Sequence, residues 1–131
     1  MRIALATAIA VAIAVPVDLA VELLAREALA VSPDFEPFQG TVAPYTAGGI
    51  VLAGVVFGAI RRFVSDADRV YVRIAAVALV LSWVPDVGLL VIHDPGATVP
   101  AVASLMVMHA LAAGIAVTVL LRVAPPVGAR S

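Results

Sequence analysis

The chain alternates between long apolar stretches and short polar connections. The apolar stretches run over roughly 3–25, 44–63, 70–92 and 99–121. The hydrocarbon core of a bilayer is about 30 Å thick, and a helix needs about 20 apolar residues to cross it. Each stretch is therefore long enough to form a membrane-spanning helix. The pattern predicts an all-α, polytopic membrane protein folded as a four-transmembrane-helix bundle.

Composition agrees with this prediction and narrows the possible partners. Hydrophobic residues make up 63% of the 131 residues, and the net charge is −1. This length allows a single membrane domain, 1–131, surrounded by the lipid bilayer. The charge offers no basic surface for nucleic acid, so no nucleic-acid partner is predicted. Because the chain contains no cysteine, it has no disulfides, thiolate metal ligands or cysteine nucleophiles.

The arginines are distributed unevenly over the two sides of the predicted bundle. One side has only Arg26, and the other has Arg2, Arg61, Arg62, Arg69, Arg73, Arg122 and Arg130. Short loops rich in Lys and Arg stay in the cytoplasm. The sequence therefore predicts a protein of the cell membrane with both termini cytoplasmic.

A few ionisable residues lie inside the spans, where lipid makes them costly. Counting about 1.5 Å per residue along each helix, the ionisable side chains of the first, third and fourth spans lie at a similar depth. This depth falls in the middle-to-outer layer of the bilayer. The candidates for an ion, proton or polar-network site are Asp18, Glu22, Ser82, Asp86 and His109. We therefore expect the first, third and fourth spans to contribute to one site.

Simpler interpretations of these residues remain open. Glu22 and Arg26 are four residues apart, which favours an ion pair within the first span. A single His at the midplane, His109, is typical of an interhelical hydrogen bond, here to Asp86 or Asp18. The chain has no His/Glu motif of the kind that binds catalytic zinc, so no metal site and no catalytic residue are predicted. The sequence leaves the question of a cofactor open.

Two prolines lie next to the acidic residues of the spans. Pro16 precedes Asp18 by two residues, and Pro85 immediately precedes Asp86. A proline inside a helix frees the carbonyl four residues earlier and bends the axis. The prolines are therefore predicted to kink their helices and to expose carbonyls beside a cation or proton site. The alternative is that they only shape helix packing, since proline is frequent in transmembrane helices.

The second span has no charged residue in its membrane part, and glycines distinguish it. Gly54 and Gly58 form a small-xxx-small pair, which permits close approach of two helices. This pair is predicted to pack helices, either within the chain or between copies in a homo-oligomer or with another membrane protein.

Aromatic residues occur in the first connection and near the ends of two spans. The acidic segment 31–43 contains Phe35 and Phe38 and is expected to fold over the outer face of the bundle. Tyr45 and Tyr71 lie near the ends of their spans, a position typical of the aromatic belts at membrane interfaces.

Two short motifs resemble a known family. The sequences SWVPD (82–86) and MHALAAG (108–114) are similar to those of an uncharacterised family of small four-span prokaryotic membrane proteins, a domain of unknown function. The resemblance implies a four-helix membrane bundle and no known activity. The positions that match are Ser82, Pro85 and His109.

Three functional hypotheses follow. The first is the handling of a proton, a small cation or a small solute at the polar cluster, with Ser82 as a hydrogen-bond donor and Glu22 toward the outer mouth. The second is a structural or accessory subunit that binds a membrane partner through the glycines of the second span. The third is a lipophilic-ligand or cofactor-binding protein in which Trp83 flanks the ligand. Enzyme activity is the least supported, because no nucleophile, metal or phosphate motif is present.

Overall fold

The structure, a computed structural model, describes residues 1–124. Its elements are α1 (Arg2–Ala28), a 3₁₀ turn (Glu36–Phe38), α2 (Val42–Phe63), α3 (Ala67–Val91) and α4 (Val99–Val123). All four α-helices are long and apolar enough to cross a membrane. The described part of the chain contains no strand. The predicted all-α fold with four spans is confirmed, and the helices begin and end within a few residues of the predicted spans.

Each helix packs against its neighbours in an up-and-down bundle. α1 packs against both α2 and α4, and α3 packs mainly against α4 and less closely against α2. The α1–α2 and α3–α4 connections lie at one end, here called the 29–41 end. Met1 and the α2–α3 turn lie at the opposite end, here called the 64–66 end. The looser contact between α2 and α3 leaves space between them.

Two apolar clusters form the core of the bundle. The cluster toward the 64–66 end contains Ala6, Ala10, Ala14, Ile50, Phe57, Ile60, Tyr71, Ala116, Leu120 and Ala124. The cluster toward the 29–41 end contains Ala25, Val31, Phe35, Phe38, Val42, Ala101, Val102 and Met108. Within α1, α2 and α4, a stretch of helix separates the members of one cluster from those of the other.

Small residues bring α1 close to its neighbours. Ala6, Ala10 and Ala14 recur every fourth residue on one face of α1, and all three are fully buried. Helices in lipid associate largely through such close packing, because lipid and core side chains are equally apolar. The sequence analysis did not identify this alanine stripe.

Gly54 meets α1 of the same chain. A Cβ added at Gly54 would overlap Thr7 Oγ1 and lie 3.1 Å from Thr7 Cγ2. A Cβ at Gly58 would lie 3.7 Å from the Ile3 side chain. The glycine pair therefore packs helices within the chain. Gly54 and Gly58 also line a groove between α1 and α2, so the hypothesis that this face binds a membrane partner stays a prediction.

The segment between α1 and α2 covers the 29–41 end. Phe35 and Phe38 are buried, and their rings pack edge to face with centroids 5.0 Å apart. Arg26 donates a hydrogen bond to the Phe38 carbonyl, which ties the segment to α1. The predicted folding of this segment over one face of the bundle is confirmed.

An arginine and a tyrosine organise the 64–66 end. Arg61 pairs with Asp68 at 2.8 Å, donates to the Ala124 carbonyl and lies over the Phe57 ring. Tyr71 packs on the same ring at 4.7 Å and is only 2% exposed. The prediction that Tyr71 belongs to an interfacial belt is wrong, because its side chain points into the bundle.

Candidate functional site

Asp18 is a carboxylate buried within a membrane-spanning helix. It is 2% exposed, and Thr46 Oγ1 of α2 donates a hydrogen bond to its Oδ2 at 2.7 Å. The other oxygen, Oδ1, has no hydrogen-bond partner among residues 1–124. A buried carboxylate oxygen normally finds a donor, because leaving it unpaired is costly. Asp18 therefore retains one acceptor for a group from outside the chain or for a proton.

A second buried acid joins α3 to α4. Asp86 is 5% exposed, and its Oδ2 lies 2.8 Å from His109 Nδ1. At that distance a single proton can be shared between the carboxylate and the imidazole. The prediction that His109 makes an interhelical hydrogen bond is confirmed, and the partner is Asp86.

These polar groups lie between the two apolar clusters. On α1, Asp18 falls after Ala14 and before Ala25, and on α4, His109 falls between Met108 and Ala116. Asp18 and Asp86 are buried in this layer, whereas the side chain of His109 is 39% exposed. Polar groups in such a layer interact strongly, because the effective dielectric constant is low.

The polar layer opens into one cavity of about 830 Å³. The residues that line it come mainly from α2, α3 and α4, with Asp18 from α1 and Glu36 at the 29–41 end. Toward the 64–66 end the wall is made of Tyr71 and small apolar residues, among them Ala75, Ala112 and Ala116. The site therefore combines an acidic part toward the 29–41 end with an apolar part toward the 64–66 end.

Four of the five predicted polar residues line this cavity. They are Asp18, Ser82, Asp86 and His109. Ser82 Oγ donates to the Leu79 carbonyl of its own helix at 2.6 Å, so its proton is not directed at the acids. The expected role of Ser82 as a donor within the site is therefore not seen.

Glu22 does not line the cavity. Its Oε1 accepts a hydrogen bond from Arg26 Nε at 3.1 Å, so the alternative of an ion pair within α1 is confirmed. The expected place of Glu22 at the mouth of the site is wrong, because Arg26 and the segment it holds draw the carboxylate away. The third acid that lines the cavity is instead Glu36, an exposed residue of the 3₁₀ turn.

The prolines and the tryptophan differ in their relation to the cavity. Pro85 lines it beside Asp86, whereas Pro16 is exposed and does not. Both lie inside uninterrupted helices. Trp83 Nε1 donates to the Met106 carbonyl at 3.1 Å, which fastens α3 to α4. Trp83 does not line this cavity, so it would not contact a ligand bound there.

Sequence reasoning missed Thr46, the side chain that donates a hydrogen bond to Asp18. A signal was present: Thr46 is a hydroxyl residue near the start of a span without charged residues in its membrane part. α2 runs opposite to α1, so its first turns reach the depth of Asp18. Matching hydroxyl groups by depth, as was done for the acids, would have found it.

The chemistry of the site is that of carboxylates and one imidazole. Within the described residues, no group of three His, Cys, Asp or Glu side chains is placed to hold a metal ion. A family model with the description "Family of unknown function (DUF6069)" matches residues 1–126. The chain belongs to this family. No match was found among curated proteins, and none was found among solved structures.

Membership of DUF6069 confirms the resemblance to an uncharacterised family that the two motifs suggested. Together with the four apolar helices, it identifies a multi-pass membrane protein of that family. The DUF6069 description assigns no activity, so function has to be argued from the cavity and its side chains.

Proposed function

We propose that the protein handles a small solute or cation, together with a proton, in the cavity between its helices. The observation that carries this proposal is the convergence of Asp18, Asp86 and His109 from three helices on one cavity. Ionisable residues inside membrane spans usually face a cavity and mark ion, proton or substrate pathways.

The Asp86–His109 pair is the proposed proton carrier. The 2.8 Å contact allows a proton to move between carboxylate and imidazole without a large movement of either helix. The other titratable groups that line the cavity are Asp18 from α1, Glu36 from the 3₁₀ turn, and two tyrosines, Tyr45 and Tyr71. Asp18 is the buried acid among them, so it is the proposed second site for a positive charge.

The experiment replaces Asp86 with asparagine. Asp86→Asn keeps the shape and a hydrogen bond to His109 but removes the carboxylate that carries the proton. In liposomes holding a sodium or potassium salt, we expect the wild-type protein to dissipate an imposed pH gradient, measured with an enclosed pH-sensitive dye. Asp86→Asn should fall to the rate of protein-free liposomes.

The control is Asp94→Asn, which removes an acid of the α3–α4 connection that does not line the cavity. This variant should dissipate the gradient as the wild type does. Equal rates for wild type, Asp86→Asn and protein-free liposomes with both salts would contradict the proposal.

The orientation in the membrane is part of the same proposal. Arg61, Arg62, Arg69 and Arg73 lie near the 64–66 end, and the positive-inside bias favours a cytoplasmic position for that end and for both termini. Glu36 and the 29–41 end of the cavity then lie toward the outside. Because the chain lacks cysteine, a single Cys at exposed Ser65 or Gln39 reports its side without background. We expect an impermeant maleimide added to intact cells to label Gln39→Cys and not Ser65→Cys. Labelling of Ser65→Cys and not of Gln39→Cys would show that the 29–41 end faces the cytoplasm.

A further inference from the structure

The cavity is too large, and its oxygen ligands too few, for a bare metal ion. Its volume of about 830 Å³ lies in the range of small-molecule sites, roughly 300–1,000 Å³. Hard cations such as Ca²⁺ require about six or more oxygen ligands at short distance. Among residues 1–124, no group of three acidic or imidazole side chains is placed to hold a metal ion. An organic ligand fits the space better than an ion does.

The charges around the cavity favour a cationic ligand. Three acids line it, Asp18, Asp86 and Glu36, and no arginine occurs among the described residues of its wall. Asp86 already has His109 as a partner. Asp18 is hydrogen-bonded only to the neutral Thr46 hydroxyl, and the one imidazole that lines the cavity, His109, is hydrogen-bonded to Asp86 instead. A buried carboxylate without a charged partner attracts a cation strongly.

The free oxygen of Asp18 specifies the head group further. Oδ1 belongs to a residue that is 98% buried, given its 2% exposure, and it lacks a donor from residues 1–124. Oδ1 is itself buried, so the carboxylate has to turn for this oxygen to meet a ligand in the cavity. An ammonium group with N–H donors would then satisfy the oxygen and neutralise the charge at once, in a charge-assisted hydrogen bond. A cation without N–H groups would supply the charge but leave the acceptor unpaired.

The apolar part of the cavity, toward the 64–66 end, indicates that the rest of the ligand is apolar. On α4 the wall extends from His109 to Val117, which is about 12 Å at 1.5 Å per residue. The side chains along it are mostly small and apolar, such as Ala112, Ala113 and Ala116. This wall matches an apolar chain or ring that extends from the acids toward Tyr71.

We propose that the ligand is an amphipathic amine, whose protonated ammonium binds Asp18 and whose apolar body lies along the alanine-lined wall. The inference rests on the proposed function, because it names the solute class of the same cavity. The ammonium group has two possible sources, a free amine or the head group of phosphatidylethanolamine, and the chemistry of recognition is the same for both.

The test uses four compounds that share one apolar body. They are 4-phenylbutylamine, its N-trimethylammonium derivative, 4-phenylbutanol and 4-phenylbutyrate, titrated by calorimetry at neutral pH into the full-length protein in phosphatidylcholine nanodiscs. Empty nanodiscs correct for partition into lipid. We expect saturable binding of the amine, affinity lower by roughly tenfold or more for the trimethylammonium compound, and no saturable binding of the alcohol or the acid.

Two variants locate the binding. Asp18→Asn can still accept from Thr46 but presents an amide in place of the free oxygen, so amine affinity should fall by roughly tenfold to a hundredfold. Ala112→Phe should abolish binding by filling the apolar wall. Glu27→Gln removes an exposed acid of α1 outside the cavity and should leave affinity unchanged. Elution volume and helix content establish that each variant is folded.

Each outcome decides the inference. No saturable binding of the amine, equal binding of all four compounds, or amine binding that survives in folded Asp18→Asn overturns it. Amine binding that weakens in nanodiscs containing phosphatidylethanolamine supports it and assigns the head group as the source, and unchanged affinity there supports a free amine. If Asp86→Asn abolishes proton movement while no amine binds, the proposed function stands and this inference fails. If the amine binds but no protein-dependent proton movement occurs, this inference stands and the proposed function fails.

Discussion

Replacing Gly96 with alanine is expected to lower the free energy of unfolding by about 3 kcal/mol or more. Gly96 lies in the α3–α4 connection with φ +77°, a left-handed conformation that costs other residues roughly 1–2 kcal/mol. An added Cβ would also lie 2.6 Å from the Phe35 backbone nitrogen and 2.9 Å from its Cα. Because backbone atoms cannot rotate away, the segment over the 29–41 end would have to move.

The chain supplies a matched control in Gly40. Its φ of +78° is nearly the same, but a Cβ there would have no neighbour within 4 Å. Gly40→Ala should therefore cost only the conformational part, roughly 1–2 kcal/mol. Unfolding of both variants in mixed dodecylmaltoside and SDS micelles, followed by circular dichroism, gives the two free energies. Equal losses would show that the contact between the two connections contributes nothing.

Gly54→Leu is expected to destabilise the bundle by roughly 3 kcal/mol, the upper part of the range for overpacked cores. The new side chain would meet Thr7 on α1, whose hydroxyl is held by a 2.9 Å hydrogen bond to the Ile3 carbonyl. Relief requires α1 and α2 to separate, which would also disturb the contact between Asp18 and Thr46 at 2.7 Å. The same unfolding assay measures the loss.

Two further variants separate overpacking from the general effect of a larger residue. Gly48→Leu lies on an exposed face of α2 with nothing within 4 Å, so it should be neutral or stabilising, because leucine favours helix by about 1 kcal/mol over glycine. Thr7→Ala combined with Gly54→Ala should be more stable than Gly54→Ala alone. If Gly54→Leu is as stable as Gly48→Leu, the two helices do not pack as described.

The candidate site shows how far depth along a helix can be used. Counting residues along each span placed Asp18, Asp86 and His109 in one layer, and the structure brings all three to one cavity. The same count placed Glu22 near the mouth. It failed there because Arg26 holds Glu22, and Arg26 is itself drawn to the Phe38 carbonyl by the way the 29–41 end folds. Depth follows from the sequence, whereas rotation about the helix axis depends on neighbours.

Two aromatic residues also show that position within a span does not determine what a side chain contacts. The surroundings of Tyr71 and Trp83 were both predicted from their positions in their spans. The first was expected in an interfacial belt and instead packs on Phe57 inside the bundle. The second was expected beside a ligand and instead donates to the Met106 carbonyl. An amphipathic ring satisfies its polar atom wherever a partner is close, and that partner depends on how the helices meet.

The sequence by itself determined that this protein has four membrane spans, where they begin and end within a few residues, and how deep its acids lie. These properties are local, since the length and apolarity of each segment decide whether it crosses a bilayer. Only the tertiary structure decided that Thr46 donates a hydrogen bond to Asp18, that His109 is hydrogen-bonded to Asp86, and that a cavity lies between α2 and α3. Those features depend on which faces of the helices meet, and small residues such as Ala10 and Gly54 set that through close packing between segments far apart in the chain.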